Sequence, residues 1–419
     1  MTIIESLKES HLVQDISDPL EASKLSSGDK FYVGFDPTAS SLQVGNLVPL
    51  IVSVKLAKAG LHPFILFGGS TGAIGDPSGR SQERSQLLDR ETIDKNIAFQ
   101  SKQATQIFNA VNVSPTFVNN YDWTKDVDVM TFLRDVGKHF TVNYMIAKDV
   151  VKNRLSGDGI SFTEFSYMLL QAFDFLHLYK NHGVKMQIGG SDQWGNITAG
   201  LELIRKKMGE NNALGFSIPL LTNSEGVKFG KSATSGTIWL DPNLTSPFKF
   251  HQFWLNSPDS DVIKYIKIFT FADTTTIQEL ENQTKSSPEK RLAQKFLADE
   301  VTKLVHGSEA VEAAQKSAQV LFSGNTDDCS EQELLEIFAD VPSFESTNSE
   351  INEISVVDLL VKFSIAKSKG EAKRLITGGG LYLNNKRVQS DTSKCLEYLK
   401  GNIIIIRSGK KNYFLVKIY

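Results

Sequence analysis

Tyr32, Gly34 and Asp36 alternate with Phe31, Val33 and Phe35 in the stretch KFYVGFDPTASSLQVGN, residues 30–46. A strand sends these two sets to opposite faces. One face packs; the other presents a phenol, a bare backbone and a carboxylate. Ligands of open α/β sheets sit beyond the carboxyl ends of strands, where Asp36 falls. After Pro37 the chain turns, and a helical run begins near Asn46 and reaches Lys58, stopped by Gly60. Backbone N–H groups at a helix start attract anions, so this stretch suits a small polar molecule held beside a phosphate. Taken alone, it is equally an ordinary βα unit in which Gly34 and Gly45 serve tight geometry.

Three other stretches carry matching chemistry. GGSTGAIGDPSGR, 68–80, sets Asp76 between Gly75 and Pro77 and holds apolar Ala73 and Ile74, which predicts a shaped loop placing one carboxylate. In SFTEFSYMLLQAFDFLHLYK, 161–180, the apolar periodicity predicts a helix, and Ser161 with Glu164 fits a capping box. Tyr167, Gln171 and Asp174 fall at i, i+4 and i+7 and share one face, as a satisfied buried network or the lining of a polar pocket. GGSDQWGN, 189–196, follows a predicted strand at 184–188; its paired glycines permit close approach to a flat ligand beside Asp192 and Gln193. The loop TNSEGVKFGKSATSG, 222–236, holds Lys228 and Lys231 on both sides of Phe229-Gly230. Two lysines on a glycine-rich loop suit a phosphate chain that is clamped and released, or else form a solvated surface loop.

The elements that must position these groups read as alternating strands and helices. Residues 1–29 predict one or two short helices before the first strand. Further strands are predicted at 65–67, 116–118 and 216–221, and helices at 83–112 and up to Met208. Residues 120–160 carry Trp123, Phe132, Leu133, Phe140, Tyr144 and Met145; so much apolar surface in an insertion predicts a subunit interface. The basic Lys138, His139, Lys148, Lys152 and Arg154 there are a solvated face or an RNA contact. Residues 246–322 are helical in pattern and read as a separate α-domain. Residues 323–354 have nine acidic residues and no Lys or Arg, an acidic linker with a short helix at 331–338.

The 419 residues carry a net charge of −3, but Ser355 to Tyr419 hold thirteen Lys or Arg against four Asp or Glu, leaving 32 against 44 elsewhere. A basic module on an acidic body points to a polyanionic partner. Lys367, Lys369, Lys373, Arg374, Lys386 and Arg387 cluster near SKGEAKRLITGG and LYLNNKRV and are the expected phosphate contacts. Two cysteines exclude a disulfide framework or a thiolate metal site. No apolar run approaches a membrane span, and the N-terminus, with acidic residues at 5, 9, 15, 18 and 21, has no leader pattern. A reducing cytoplasm is the expected location.

Together, YVGFDPTASSLQVGN, GDPSG, TFLRDVGKHFTVNYM, GISFTEFSYMLLQAFDF, QIGGSDQWGNITAG, KFGKS and GTIWLD resemble the signatures, in order, of the bacterial-type tyrosyl-tRNA synthetases, class I aminoacyl-tRNA synthetases. The tail is similar to the αL-type RNA-binding domain. The resemblance implies a Rossmann-like parallel-sheet catalytic domain over 1–222 with a dimer-interface insertion at about 120–160. It implies a KFGKS loop and connector at 223–245, an all-α anticodon-side domain at 246–322, a linker at 323–353 and a small α+β RNA-binding domain at 354–419.

The implied activity is formation of tyrosyl-adenylate from L-tyrosine and ATP, then transfer of the tyrosyl group to tRNA(Tyr), by a homodimer. The implied roles follow the motifs. Tyr32 and Asp174 meet the phenol hydroxyl; Asp76, Tyr167 and Gln171 take the α-ammonium; Gln193 lies near the amino acid and the reacting phosphate. Gly34, Asp36, Asn46, Gly190, Asp192 and Ser232 join the ATP site. Thr38 and Gln43, facing Lys228 and Lys231, stabilise the departing pyrophosphate. Mg²⁺ is expected to travel with ATP, with no protein-bound metal or organic cofactor. One departure stands out. The family's two helix-start histidines are Gln43 and Asn46 here, amides that still donate hydrogen bonds but carry no charge. That loss leaves open a catalytically weakened relative acting as an RNA-binding regulatory protein, and an enzyme selective for a tyrosine analogue.

Overall fold

The computed structural model describes residues 3–78, 87–222, 229, 231–232, 236–323, 329–338, 341–409 and 412–419. They form two compact units, Met1–Ser308 and Glu309–Tyr419.

The first unit is built on a six-stranded sheet in the order β1-β6-β5-β2-β3-β4. Its strands are β1 (Asp15–Ile16), β2 (Lys30–Phe35), β3 (His62–Phe67), β4 (Thr116–Asn119), β5 (Val184–Gly190) and β6 (Leu214–Ile218). β2 to β6 run parallel, and β1 joins the edge antiparallel to β6. The short helices predicted for residues 1–29 are present at Ile3–Glu9 and Pro19–Ser23; the edge strand between them is not predicted, since two residues cannot show a periodicity. The alternation along β2 holds. Phe31, Val33 and Phe35 enter one apolar cluster with the helix Val44–Lys58, whereas Tyr32 enters the other with Phe175 and the helix Phe162–His182. The sheet is thus a doubly wound α/β layer with helices on both faces.

The helices between Pro247 and His306 do not build a core of their own. Phe250, Trp254, Val262, Ile266, Leu297 and Val301 share one apolar cluster with Leu47, Leu50 and Ile51 of the sheet domain. Lys55 Nζ, largely buried, donates to the Lys267 carbonyl at 2.6 Å across this contact. The separate α-domain expected over 246–322 is therefore corrected in its packing, because helical periodicity shows that a face is buried but not against what.

The insertion also differs from expectation. Phe140 and Met145 are core residues, and Trp123 turns inward. Arg154 is no surface cation: it is buried with Glu164, Nη2 to Oε2 2.6 Å, and its Nε donates to the Gly159 carbonyl at 3.0 Å. The expected capping serine holds, since Ser161 accepts from Glu164 N–H at 3.2 Å, but the Glu164 carboxylate serves this ion pair.

Also in the first unit, β7 (Lys231–Ser232) and β8 (Gly236–Thr237) form an antiparallel pair. The second unit holds β9 (Ser343–Ser346), β10 (Leu381–Leu383), β11 (Lys386–Arg387), β12 (Ile403–Ser408) and β13 (Asn412–Ile418), in the order β11-β10-β12-β13-β9. Asn384 and Asn385, both at positive φ, form the turn between β10 and β11. The expected linker over 323–353 is corrected. β9 pairs in parallel with β13, and Leu334 and Phe338 pack on Ile403, Ile405 and Leu415. The short helix expected at 331–338 is present as Glu331–Ile337, but the acidic composition hid its packing partners and an edge strand whose partner lies far along the chain.

Removing one member of a buried ion pair strands the other's charge. Arg154→Met should destabilise the first unit by about 3 kcal/mol, and the double variant Arg154→Met/Glu164→Leu should recover most of that, as read by denaturant unfolding.

Candidate active site

β2 and β5 are neighbours, yet the chain winds from β2 toward β3 and β4 on one side and from β5 toward β6 on the other. This is a topological switch point, where an open α/β sheet leaves a crevice. A cleft of about 540 Å³ opens at the carboxyl ends of these two strands. From β2 and its exit come Tyr32, Gly34, Asp36 and Thr38; from the helix start, Gln43 and Asn46. The helix Phe162–His182 contributes Tyr167, Gln171 and Asp174, and the end of β5 contributes Gly190, Asp192 and Gln193, with Asp76 from the glycine-rich loop. The polar stripe of that helix is therefore both a pocket wall and a hydrogen-bonded network.

At one end, Asp174 is 2 % exposed. Burial, the largest influence, pushes its carboxyl up to about 7, while hydrogen bonds from Asn120 Nδ2 and Trp123 Nε1, each 2.9 Å, hold it down. Tyr32 lies beside it, ring to ring with Phe175 at 5.5 Å, and its hydroxyl is buried with no hydrogen-bond partner among the described residues. Burial and the Asp174 charge raise that phenol well above its ordinary range. A hydroxyl and a carboxyl together, desolvated, await a ligand group that can pair with both.

The middle of the cleft is a carboxylate network. Tyr167 donates to Asp36 Oδ2 at 2.9 Å and Thr71 to Oδ1 at 2.8 Å. Asn120 ties Thr71 to the Asp174 end with a 3.0 Å bond. Gln193 Nε2 donates to Asp76 Oδ2 at 2.5 Å, and Asn196 Nδ2 donates to Gln171 Oε1 at 3.0 Å and Gln193 Oε1 at 3.2 Å. Burial, then the charges of Asp36 and Asp76, raise the Tyr167 phenol well above its usual range. Such a negative, desolvated pocket suits an ammonium group. A Cβ at Gly68 would stand 2.1 Å from Asp36 Oδ1, so only glycine lets this carboxylate sit where it does.

The other end faces the helix start. Asn46 Oδ1 accepts from Gln43 N–H at 2.9 Å, which turns one of the two amides that replace histidines into part of the helix cap. Lys228 lies outside the described residues, and of Lys231 and Ser232 only the backbone, in β7, is described. Phe229 lines the cleft and packs among Phe253, Trp254, Tyr265 and Phe269 at 5.0–5.6 Å between rings. Among the described residues no group of three or more His, Cys, Asp or Glu could hold a metal.

Sequence reasoning missed Asn120, Trp123 and Thr71, which orient the acids. No local signal marks them, since each acts through a contact made by the fold. In the second unit, Lys373 pairs with Asp391 at 2.9 Å and Lys369 with Asp358 at 2.7 Å, on exposed surface. Lys386 and Arg387 form β11, Lys367 N–H donates to Glu371, and Arg374 lies in the last turn of the helix Lys369–Thr377. Exposed pairs of this kind are weak.

A raised carboxyl means that the fold binds the proton more tightly than the unfolded chain. The Asp174 contribution to stability is therefore fullest below the ordinary carboxylate range and is lost as pH rises through about 7. Its ¹³C resonance should titrate near pH 7 in the free protein, and Asn120→Ala should move that midpoint higher.

The family model described as tRNA synthetases class I (W and Y) matches residues 27–323. A second, described as Tyrosine–tRNA ligase SYY-like C-terminal domain, matches 333–416, beginning inside the segment expected to be a linker. The tyrosine–tRNA ligases of Bacillus caldotenax and Geobacillus stearothermophilus are each 48% identical to this chain, over 100% of both sequences. Among solved structures, a C-terminally truncated mitochondrial tyrosyl-tRNA synthetase of Aspergillus nidulans shares 31% identity at a TM-score of 0.69, covering 77% of this chain and 94% of its own. The Archaeoglobus fulgidus tyrosyl-tRNA synthetase complexed with L-tyrosine, at 18% identity and a TM-score of 0.56 over 74% of this chain and 99% of its own, shares the fold. With a full-length match to such relatives and two family models that match residues 27–323 and 333–416, the chain belongs to the tyrosine–tRNA ligases of the class I tRNA synthetases.

Proposed function

We propose that this tyrosine–tRNA ligase selects its amino acid through Tyr32 and Asp174 and activates it with ATP across the β2–β5 cleft. The observation that carries the selection is the buried, unpartnered Tyr32 hydroxyl beside the buried Asp174 carboxyl. A substrate phenol would pair with both. Phenylalanine would leave both desolvated and unpaired, and is rejected for that reason, a discrimination for which tyrosine–tRNA ligases are themselves the reference case.

In this reading Asp76, Tyr167 and Gln171 hold the substrate ammonium, and Gln193 lies between the amino acid and the reacting phosphate. Gly34, Asp36, Gly190 and Asp192 take the adenosine side. The tyrosine carboxylate oxygen bonds to the α-phosphorus of ATP as the bond to the pyrophosphate oxygen breaks. Thr38 and Gln43, with Lys228 and Lys231, stabilise the departing pyrophosphate, and Asn46 and Ser232 join the ATP site. Mg²⁺ carried on the ATP phosphates neutralises part of their charge. A terminal ribose hydroxyl of the tRNA then takes the tyrosyl group, releasing AMP. The protein supplies position and charge rather than a nucleophile.

The second unit is assigned to tRNA contact through Lys367, Lys369, Lys373, Arg374, Lys386 and Arg387. A homodimer is supported by apolar side chains left in solvent around the insertion: Val129 71 %, Met130 74 %, Val142 60 % and Phe162 78 % exposed. A patch of this kind marks a protein interface. A cytoplasmic location fits the tRNA partner and the two free cysteines, both buried. Among the described residues no helix is long and apolar enough to cross a membrane. No specific observation favours the weakened RNA-binding relative, whose only motive is the amide pair Gln43 and Asn46.

Tyrosine-dependent ATP–pyrophosphate exchange, with phenylalanine as competitor, tests the reading. Asp174→Ala should reduce the preference for tyrosine by about 10- to 100-fold and Tyr32→Phe by about tenfold. Unchanged preference in both would refute the phenol contact. Light scattering should give a dimer that Met130→Glu/Phe162→Glu converts to monomer; a wild-type monomer with full activity would refute the interface.

A further inference from the structure

The loop from Pro37 to Leu42 carries Thr38 and delivers the chain into Gln43. Its backbone is held by one face of a helix that reaches the cleft nowhere itself. Asn96, Gln100 and Gln103 of the helix Arg90–Asn109 are buried, and their i, i+4, i+7 spacing puts them on one side. Asn96 Nδ2 donates to the Pro37 carbonyl at 2.9 Å and Gln100 Nε2 to the Ala39 carbonyl at 2.8 Å. Gln103 Oε1 accepts from Leu42 N–H at 2.9 Å, and its Nε2 donates to Ser41 Oγ at 3.0 Å.

Ser41 extends this ladder. Its buried hydroxyl donates to the Leu42 carbonyl at 2.8 Å and accepts from Asp241 N–H at 3.1 Å. Asp241 follows the strand pair that closes the two-lysine loop. The same segment is stitched to the helix entrance, Val44 N–H to Ile238 carbonyl at 3.0 Å and Leu240 N–H to Leu42 carbonyl at 2.9 Å. Both phosphate-side pieces therefore meet at one buried hydroxyl.

Buried irregular backbone must find partners, and here the Pro37 and Ala39 carbonyls and the Leu42 N–H find theirs in amides of one helix. The neighbouring buried positions of that helix, Ile93, Ala104, Ile107 and Phe108, are apolar, as packing alone requires. Gln100 moreover leaves its Oε1 buried without a partner among the described residues. A leucine would fill the space without that penalty, so the glutamine sits there for its single donor bond to the loop.

We propose that Asn96, Gln100 and Gln103 are positioning residues for adenylate formation, an amide ladder that sets Thr38 and Gln43 against the ATP phosphates and, through Ser41, registers the exit of the two-lysine loop to them. The proposal rests on the phosphate-side assignment of Thr38 and Gln43. The tyrosine end is held separately, by β2 and the helix Phe162–His182, so the ladder acts on the rate of activation and not on tyrosine recognition.

The test uses the full chain carrying Gln100→Leu, Gln103→Met or Ser41→Ala, assayed by tyrosine-dependent ATP–pyrophosphate exchange with thermal unfolding in parallel. The expected result is a kcat lowered by up to about 10²-fold, a tyrosine KM within about twofold of the parent, and phenylalanine still rejected. Gln103→Glu, which keeps the acceptor for Leu42 N–H, should recover most of the rate. Parental kcat in the folded variants overturns the proposal. So does a tyrosine KM that worsens along with kcat, or a Gln103→Glu variant as slow as Gln103→Met, since either shows a packing role alone. If Gln103→Met does not fold, the small Ser41→Ala change decides in the same terms. Thr38→Ala and Gln43→Ala run alongside: both unimpaired, and the phosphate-side assignment itself fails; impaired while the ladder variants are not, and the ladder alone fails.

Discussion

Asp174 brings a carboxyl group to a place from which water is excluded, and much of the first unit is arranged to hold it there. Desolvation alone would favour its neutral form, and Asn120 and Trp123 oppose that by donating to both oxygens. The same Asn120 reaches Thr71, Thr71 reaches Asp36, and Asp36 accepts from Tyr167. One chain of hydrogen bonds thus runs from the head of the cleft to its middle. Each member has its orientation fixed by the next, which is the preorganisation that the proposed selection of a hydroxyl requires.

The sheet sets where that network can be. Because β2 and β5 part company at the switch point, their carboxyl ends leave room, and because β2 alternates, Tyr32 faces the acid while Phe31 and Val33 anchor the strand in the opposite core. The helices between Pro247 and His306 stiffen that core from behind. Their packing on the Val44–Lys58 helix, with Lys55 bound to the Lys267 carbonyl, holds the helix whose start lines the cleft. At that start, Asn46 accepts from the Gln43 N–H, so one amide is taken up by the helix cap. In the proposed reading, the uncharged pair bears on the rate of activation.

Much of the candidate site is legible in the residue order alone. Period two sets Tyr32, Gly34 and Asp36, helical spacing sets Tyr167, Gln171 and Asp174, and all six line one cleft. Gly190, Asp192 and Gln193 follow from a glycine pair at a strand end. These are local signals, each carried by a few consecutive residues. The basic tail is legible as charge density, but its boundary is not. β9 has its hydrogen-bond partner in β13, far along the chain, and an acidic stretch without apolar runs gives no sign of such a pairing.

The sequence by itself determined the alternation of strands and helices, the face each presents, and the chemical character of the groups at their ends, because backbone geometry converts spacing directly into direction. Only the tertiary structure decided who meets whom. It turned Arg154 from a surface cation into the buried partner of Glu164, made Trp123 a donor to Asp174, and merged the expected α-domain with the sheet. It also placed Asn96, Gln100 and Gln103 against the loop that carries Thr38. The physical reason is the same throughout. A buried polar or apolar face must be satisfied, but its sequence states only the need and leaves the partner to the packing of distant elements.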